Sequence, residues 1–201
     1  MIGTGGQART QLEAVAAVRK LESVRIYGRD AARREKFCQE MSAKLGIPVT
    51  PSGSSSEAVR GADIVCTATT SSQAVVFGPD LSPAVHINAI GANHSHKREL
   101  DDEAVASADV IVVDSVEQSR QEAGDLILAF KGDEICWTGV RKLCDVVAGK
   151  VSGRSSDAEV TLFKSNGIAS WDLAVAMKVY ASAREKKLGR ELPFWQGNAG
   201  N

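Results

Sequence analysis

Residues 1–8 read Met1-Ile2-Gly3-Thr4-Gly5-Gly6-Gln7-Ala8, and this stretch decides the fold of the chain. From Gly3 onward it follows the pattern G-x-G-x-x-A and leads into an apolar helical stripe. In such a motif the first glycine permits a tight turn and the second lets the backbone approach a pyrophosphate, while the small third residue allows close helix–strand packing. The N–H groups that open the helix then face the phosphate charge. The motif therefore predicts a dinucleotide site that includes Gly3, Gly5, Gly6, Gln7 and Ala8.

The remaining chain alternates between helical and strand patterns. A helix is predicted at 8–21, a strand at 23–27, a helix capped by Asp30 that ends at Gly46, a short extended piece at 47–50, and a short helix capped by Ser55 or Ser56. Apolar strands follow at 63–68, 85–90, 109–114 and 161–164, and a long helix at 170–187. Continuous apolar strands between helices are typical of a parallel sheet covered on both faces. The fold class is therefore α/β, a Rossmann-like doubly wound parallel sheet.

The first strand of this sheet is unusually short in the sequence. Only Met1 and Ile2 precede the glycine loop, whereas such a strand usually has about four to eight residues. We expect it to be truncated, because Met1 is either an internal residue or a start codon assigned too late. The central strand of the sheet would then be largely missing.

The end of the second strand bears on the choice of cofactor. An NAD enzyme usually places Asp or Glu there to bind the ribose hydroxyls, but this strand ends Tyr27-Gly28-Arg29. Arg29 can pair bidentately with the 2′-phosphate of NADP. The alternative is that Arg29 is a solvated loop residue beside Asp30. We expect NADP(H) to be favoured over NAD(H).

Composition excludes several other classes. The 201 residues carry a net charge of -1, with basic residues dispersed among acidic ones, which argues against nucleic-acid and membrane partners. No apolar run approaches the roughly 20 residues of a membrane-spanning helix. The four cysteines lack zinc-type spacing and fit reduced thiols of a cytoplasmic protein.

Several stretches together resemble the ornithine cyclodeaminase/μ-crystallin family. No single one is specific, but they follow the family order over nearly the whole chain. They are residues 3–8, 62–69, 86–92, 98–101, 113–115, 122–126 and 161–169, with Asp172.

The resemblance implies a dimeric, two-domain subunit in which a Rossmann domain lies between the two parts of a substrate and dimerisation domain. We expect residues 1–160 to form the NAD(P)-binding domain. Residues 161–201 would supply a strand and a helix that returns to the substrate domain. The first part of that domain, which carries the basic residues for the substrate carboxylate, is expected to be missing. The fragment alone is therefore expected to be inactive.

The resemblance also implies hydride transfer at a carbon bearing nitrogen. Cyclodeaminases of the family place an aspartate where Asn93 stands, and a neutral amide neither accepts a proton nor stabilises an iminium well. This favours an imine or ketimine reductase, or an amino-acid dehydrogenase, acting on a small amino acid or imine. The alternatives are an ornithine cyclodeaminase and an NADPH-dependent small-ligand-binding protein without turnover.

By resemblance, the cofactor or nicotinamide site also contains residues that follow strand ends, although Thr67 and Ser165 can instead cap turns. Asn93 and Lys97 are the catalytic candidates, and Lys97 can equally be a solvated charge. His94 and His96 lack a third metal ligand, so no metal site is expected, and His86 reads as a core histidine. The cofactor-site residues are Thr67, Thr69, Ile90, Gly91, Ser165 and Gly167.

Overall fold

The structure, a computed structural model, describes residues 1–190 and 192, and these contain seven strands, nine α-helices and one 3₁₀ helix at Gly78–Asp80. The strands are β1 (Val24–Ile26), β2 (Val49–Pro51), β3 (Ile64–Thr67), β4 (His86–Ala89), β5 (Val110–Val113), β6 (Arg141–Lys142) and β7 (Thr161–Lys164). The helices are α1 (Gly6–Val18), α2 (Ala31–Leu45), α3 (Ser55–Val59), α4 (Asp102–Ala106), α5 (Val116–Glu122), α6 (Gly124–Phe130), α7 (Glu134–Thr138), α8 (Leu143–Val147) and α9 (Ala169–Glu185). The predicted strands and long helices are confirmed, whereas β6 and the helices α4 to α8 were not predicted.

All strand pairs are parallel, in the orders β1-β2 and β3-β4-β7-β5-β6. Ile2 bridges the two groups, since it pairs with Tyr27 after β1 and with Thr67 of β3. Its N–H donates to Cys66 O at 2.8 Å and its carbonyl accepts from Ala68 N at 2.8 Å. The predicted Rossmann-like parallel sheet is therefore present, and the short first strand still occupies its central position.

The core lies on both faces of this sheet. Met1 packs with α1, α2 and β1, while the next residue, Ile2, packs with Val65, Ile87 and Leu162 on the other face. Successive strand residues point to opposite faces, so these two adjacent residues each anchor a different hydrophobic cluster. Their burial explains why even two residues hold the centre of the sheet.

Local capping signals agree with the sequence in one helix and differ in another. Asp30 accepts from Arg33 N at 2.9 Å and caps α2, which ends at Gly46 in the left-handed conformation with φ 69°. Helix α3 is capped by Ser54, which accepts from Glu57 N at 3.1 Å, and not by Ser55 or Ser56. Three adjacent serines offer the same hydroxyl, so sequence alone did not distinguish the one with extended backbone.

The chain divides into two units, residues 1–166 and residues 167–201. Strand β7 belongs to the first unit because it pairs with both β4 and β5. In the second unit, α9 carries apolar residues along its length and has Asp172 in its first turn, which suits the helix dipole. Among the described residues, no helix has the length and apolar character needed to cross a membrane.

Candidate functional site

The glycine loop crosses the sheet at the point where the strand order reverses. Gly3 is buried with φ 120°, and its N–H donates to Tyr27 O at 2.8 Å. A Cβ at Gly3 would collide with the carbonyl oxygen of Ala68 at the end of β3. Only glycine therefore fits this turn, and the crevice beside it is where open parallel sheets bind ligands.

The start of α1 fits a phosphate group. Gly5 is the N-cap and makes no side-chain capping bond, so no side chain from the cap satisfies the first N–H groups of the helix. Gly6 and Gln7 are exposed at this end, whereas Ala8 is fully buried against the sheet. Unsatisfied N–H groups and the helix dipole both favour an anion at this position.

The segment after β1 lies beside the same loop. A Cβ at Gly28 would come within 2.8 Å of the Thr4 side chain, so the two segments are in close contact. Arg34 donates to Gly28 O at 2.6 Å and lies over the Tyr27 ring, which fixes the backbone there. Arg29 is exposed at the tip of this segment, so its side chain is free to face a ligand or solvent.

A basic cleft that the sequence analysis missed lies next to the glycine loop. It has a volume of about 280 Å³ and is lined by Thr4, Gly5, Gly6, Arg9, Arg33, Lys36, Phe37 and Glu40. Arg33 Nε donates to Thr4 O at 3.2 Å, while Arg9 pairs with Glu40 at 2.6 Å. Arg33 and Lys36 are three residues apart and so share one face of α2. That spacing was visible in the sequence, but the direction of the face was not.

Beyond the first strand, one buried carboxylate joins two candidate loops. Glu99 Oε2 accepts from Thr67 Oγ1 and from Gly91 N, both at 2.7 Å, and Oε1 accepts from Thr69 N at 2.6 Å. Thr67 O accepts from Ile90 N at 3.0 Å in addition. Four of the predicted cofactor residues are thus brought together around Glu99, which the sequence analysis did not single out.

A buried ion pair lies behind Glu99. Asp125 Oδ1 accepts from the backbone N–H groups of Glu99 at 2.6 Å and Leu100 at 2.8 Å. Asp125 Oδ2 lies 3.2 Å from Nζ of Lys164, the last residue of β7, and both side chains are fully buried. The pair connects the end of β7 to the segment that holds Glu99.

Ser165 is held at the neighbouring strand end. Its hydroxyl donates to Asp114 Oδ2 at 2.8 Å, and the same oxygen accepts from Asn166 N at 2.8 Å. Gly167, with φ 79°, lies in the second unit and is exposed. Ser165 is therefore held in place by Asp114, and both residues belong to the first unit.

The catalytic candidates lie on the loop that follows Gly91. Asn93 is exposed, whereas Lys97 is half-buried and its N–H donates to His94 O at 3.0 Å. The rings of His94 and His96 stack at 5.7 Å. Over residues 1–190 and 192, the structure contains no cluster of three or more potential metal-ligating side chains.

Both ring nitrogens of His86 have hydrogen-bond partners, as expected, but the residue is half-buried and does not belong to the core. Its Nδ1 lies 2.7 Å from Thr161 Oγ1 and its Nε2 lies 3.2 Å from Asn88 Oδ1. Burial lowers the pKa of this imidazole, since desolvation disfavours the charged form. It also lines a larger cavity of about 1210 Å³ that extends over one face of the sheet, where alternate residues of β3, β4 and β5 and residues of β7 face it.

Comparison with known proteins gives consistent results over the whole chain. The model of the ornithine cyclodeaminase/mu-crystallin family matches residues 1–187. A Δ1-pyrroline-2-carboxylate reductase of Bacillus cereus is 37% identical over 195 residues, which cover 96% of this chain and 60% of the relative. The chain thus spans about 60% of the length of the curated relatives it matches.

Two solved structures are similar to it. One is the Thermococcus litoralis Δ1-pyrroline-2-carboxylate reductase in complex with NADH and L-proline, with a TM-score of 0.91 and 40% identity over 95% of this chain and 59% of that one. The other is an archaeal alanine dehydrogenase dimer with bound NAD, with a TM-score of 0.88 and 36% identity over 96% of this chain and 59% of that one. Both bind a nicotinamide cofactor.

Proposed function

This chain belongs to the ornithine cyclodeaminase/mu-crystallin family, and from that premise we propose that it holds the cofactor for NAD(P)-dependent hydride transfer at a carbon–nitrogen centre. The reaction class is that of an imine or ketimine reductase, or of an amino-acid dehydrogenase, acting on a small amino acid or imine. In this proposal residues 1–160 bind the cofactor, and residues 161–201 belong partly to the substrate domain, since β7 completes the sheet while α9 would extend toward that domain.

The observation that carries the proposal is the uncapped start of α1 beside Gly3. The tight approach of Gly3 to Ala68 and the uncapped amides at Gly5 and Gly6 fit a pyrophosphate. On the other side of the first strand, Thr69, Ile90 and Gly91 would face the nicotinamide, which when bound supplies or accepts the hydride. The loop of Asn93 and Lys97 would then face the substrate.

The test is the protein expressed from its gene and supplied with Δ1-pyrroline-2-carboxylate and NADH or NADPH. We expect absorbance at the reduced-cofactor band to fall as the amine product forms. If the protein instead consumes ornithine and releases ammonia without net oxidation or reduction of the cofactor, it is a cyclodeaminase, the second candidate. Tight cofactor binding without turnover of imines, keto acids plus amine, or ornithine would identify a binding protein.

Cofactor choice follows from the charge around the glycine loop. No acid stands at the end of β1, Arg29 is exposed there, and the cleft with Arg33 and Lys36 adjoins the glycine loop. We propose that these cations bind the 2′-phosphate, so that NADPH binds more tightly than NADH. Charge-assisted hydrogen bonds of this kind contribute about 1.5–3 kcal/mol.

Titration of both cofactors tests this choice. Arg29→Ala and Arg33→Ala should each weaken NADPH binding by about tenfold or more, since 1.4 kcal/mol is a factor of ten. Arg29→Ala should leave NADH affinity nearly unchanged, whereas Arg33→Ala also removes the bond to Thr4 O and should weaken NADH binding to a smaller extent. Arg19→Ala is the matched control, because Arg19 is an exposed arginine just after α1, at the end away from the glycine loop. Equal NADPH affinity in the wild type and both loop variants would refute the assignment.

The remaining proposals concern assembly and location. We propose a homodimer, supported by the dimeric state named for the archaeal alanine dehydrogenase. We propose a cytoplasmic location, supported by the four free cysteines, since disulfides are rare in that compartment. Light scattering of the purified protein and fractionation of cells that express it test the two statements.

A further inference from the structure

Glu99 is a fully buried carboxylate whose partners are all hydrogen-bond donors. Its side chain receives one hydroxyl, from Thr67, and two backbone N–H groups, from Thr69 and Gly91. Thr67 is the last residue of β3, Thr69 lies on the loop after β3, and Gly91 lies on the loop after β4. A single side chain therefore joins the carboxyl ends of two neighbouring strands.

The hydrogen bonds around Glu99 require a carboxylate, and the neighbouring backbone is packed closely against it. Because donors approach both oxygens, an amide at this position would offer only one acceptor and would point its NH₂ group at another donor. A Cβ at Gly91 would collide with Glu99 Oε1 and with the carbonyl oxygen of Thr69. The loop after β4 is thus packed directly onto the carboxylate, and its position depends on that group.

The backbone of Glu99 is itself fixed from behind. Asp125 accepts from the N–H groups of Glu99 and Leu100 and pairs with Lys164 at the end of β7. The chain of contacts runs from β7 through Asp125 and Glu99 to the loops after β3 and β4. Asp125 Oδ2 and Lys164 Nζ contact each other as a buried ion pair and have no hydrogen-bond partner among the described residues, so the backbone of Glu99 is held by the two bonds to Asp125 Oδ1.

We propose that Glu99 is a positioning residue for the nicotinamide half of the cofactor, a role that rests on the proposed function. It sets the separation of the loops after β3 and β4 without touching the cofactor itself. The adenosine half lies on the other side of the first strand, on the glycine loop and the segment after β1, since a dinucleotide spans the crevice where the strand order reverses. Glu99 makes its side-chain bonds only to the nicotinamide side.

The first experiment compares NADH with ADP-ribose, which lacks the nicotinamide, as ligands of Glu99→Gln in the full chain. We expect the Kd for NADH to rise about tenfold or more, and the Kd for ADP-ribose to stay within about twofold of the wild-type value. Glu103→Gln is the matched control, because Glu103 follows Glu99 closely in the chain but is exposed on α4. If Glu99 had only a structural role, Glu99→Gln would weaken the binding of NADH and of ADP-ribose to the same extent.

A second pair of variants keeps the proposal testable if Glu99→Gln does not fold. Thr67→Val removes one donor to Glu99, whereas Thr67→Ser retains the hydroxyl. We expect Thr67→Val to raise the Kd for NADH but not that for ADP-ribose, and Thr67→Ser to keep the Kd for NADH near the wild-type value. Thermal melting verifies that both variants fold. Equal weakening of NADH and ADP-ribose, or no weakening of NADH, overturns the positioning role. Failure of the wild type to bind either ligand would overturn the proposed function itself.

Discussion

Replacing Lys164 by Met should destabilise the protein far more than its single ion pair suggests. Lys164 Nζ lies 3.2 Å from Asp125 Oδ2, and both side chains are fully buried. Met fills a similar volume but removes the cation, and removing one partner of a buried pair typically costs about 3–5 kcal/mol. Asp125 keeps its two backbone donors, at 2.6 and 2.8 Å, so we expect the lower end, about 3 kcal/mol.

Urea denaturation, monitored by circular dichroism, measures this decrease in the free energy of unfolding. The matched control is Lys44→Met, because Lys44 pairs with Glu13 at a shorter 2.6 Å but remains about half exposed. An exposed pair contributes about 0–1 kcal/mol, so the control should change the free energy of unfolding little. If Lys164→Met costs no more than Lys44→Met, the account of a buried, network-forming pair is wrong.

Three further predictions concern the glycine loop, the substrate loop and the pH dependence of stability. Gly3→Ala should lower the melting temperature and abolish NADH binding, because the positive φ costs about 1–3 kcal/mol and the new Cβ collides with Ala68 O; unchanged affinity would contradict this. Asn93→Asp should leave the NADH Kd unchanged, since Asn93 is exposed beyond the cofactor loops, and a large shift would place it at the cofactor. Burial lowers the pKa of His86 in the fold, so its contribution to stability is complete above the unfolded pKa of about 6.5 and is lost as pH falls through the folded value. Urea unfolding at about pH 7.5 and about pH 5.5 should therefore show a smaller loss in His86→Gln than in the wild type, and an equal loss would refute the assignment.

The elements that the sequence predicted well are those with a local cause. The helix after Asp30 has its cap, its amphipathic stripe and its terminal Gly46 within one continuous segment. The strands β3 and β5 are largely apolar runs, as expected of strands buried on both faces, whereas β4 alternates half-buried polar and buried apolar residues. The short helices α4 to α8 lack such stripes and were missed, because brief helices depend on packing rather than on periodicity.

In the candidate site, too, the sequence predicted the features with a local cause and missed those that depend on tertiary contacts. The glycine loop was recognised from its spacing, and the structure places it at the reversal of the strand order. Arg33 was overlooked because its role depends on which face of α2 adjoins Thr4. Thr67 and Ser165 were predicted to be site residues from the sequence, whereas their buried partners, Glu99 and Asp114, were not singled out.

By itself, the sequence determined the fold class, the glycine turn and the order of strands and helices, since each follows from residues that are neighbours in the chain. Only the tertiary structure decided which acidic residues are buried. Glu99 lies 32 residues from Thr67 and Asp125 lies 26 residues from Glu99, and both read as ordinary surface charges in the sequence. A carboxylate tolerates burial only where donors converge on it, and that convergence exists only once distant strand ends meet at one edge of the sheet.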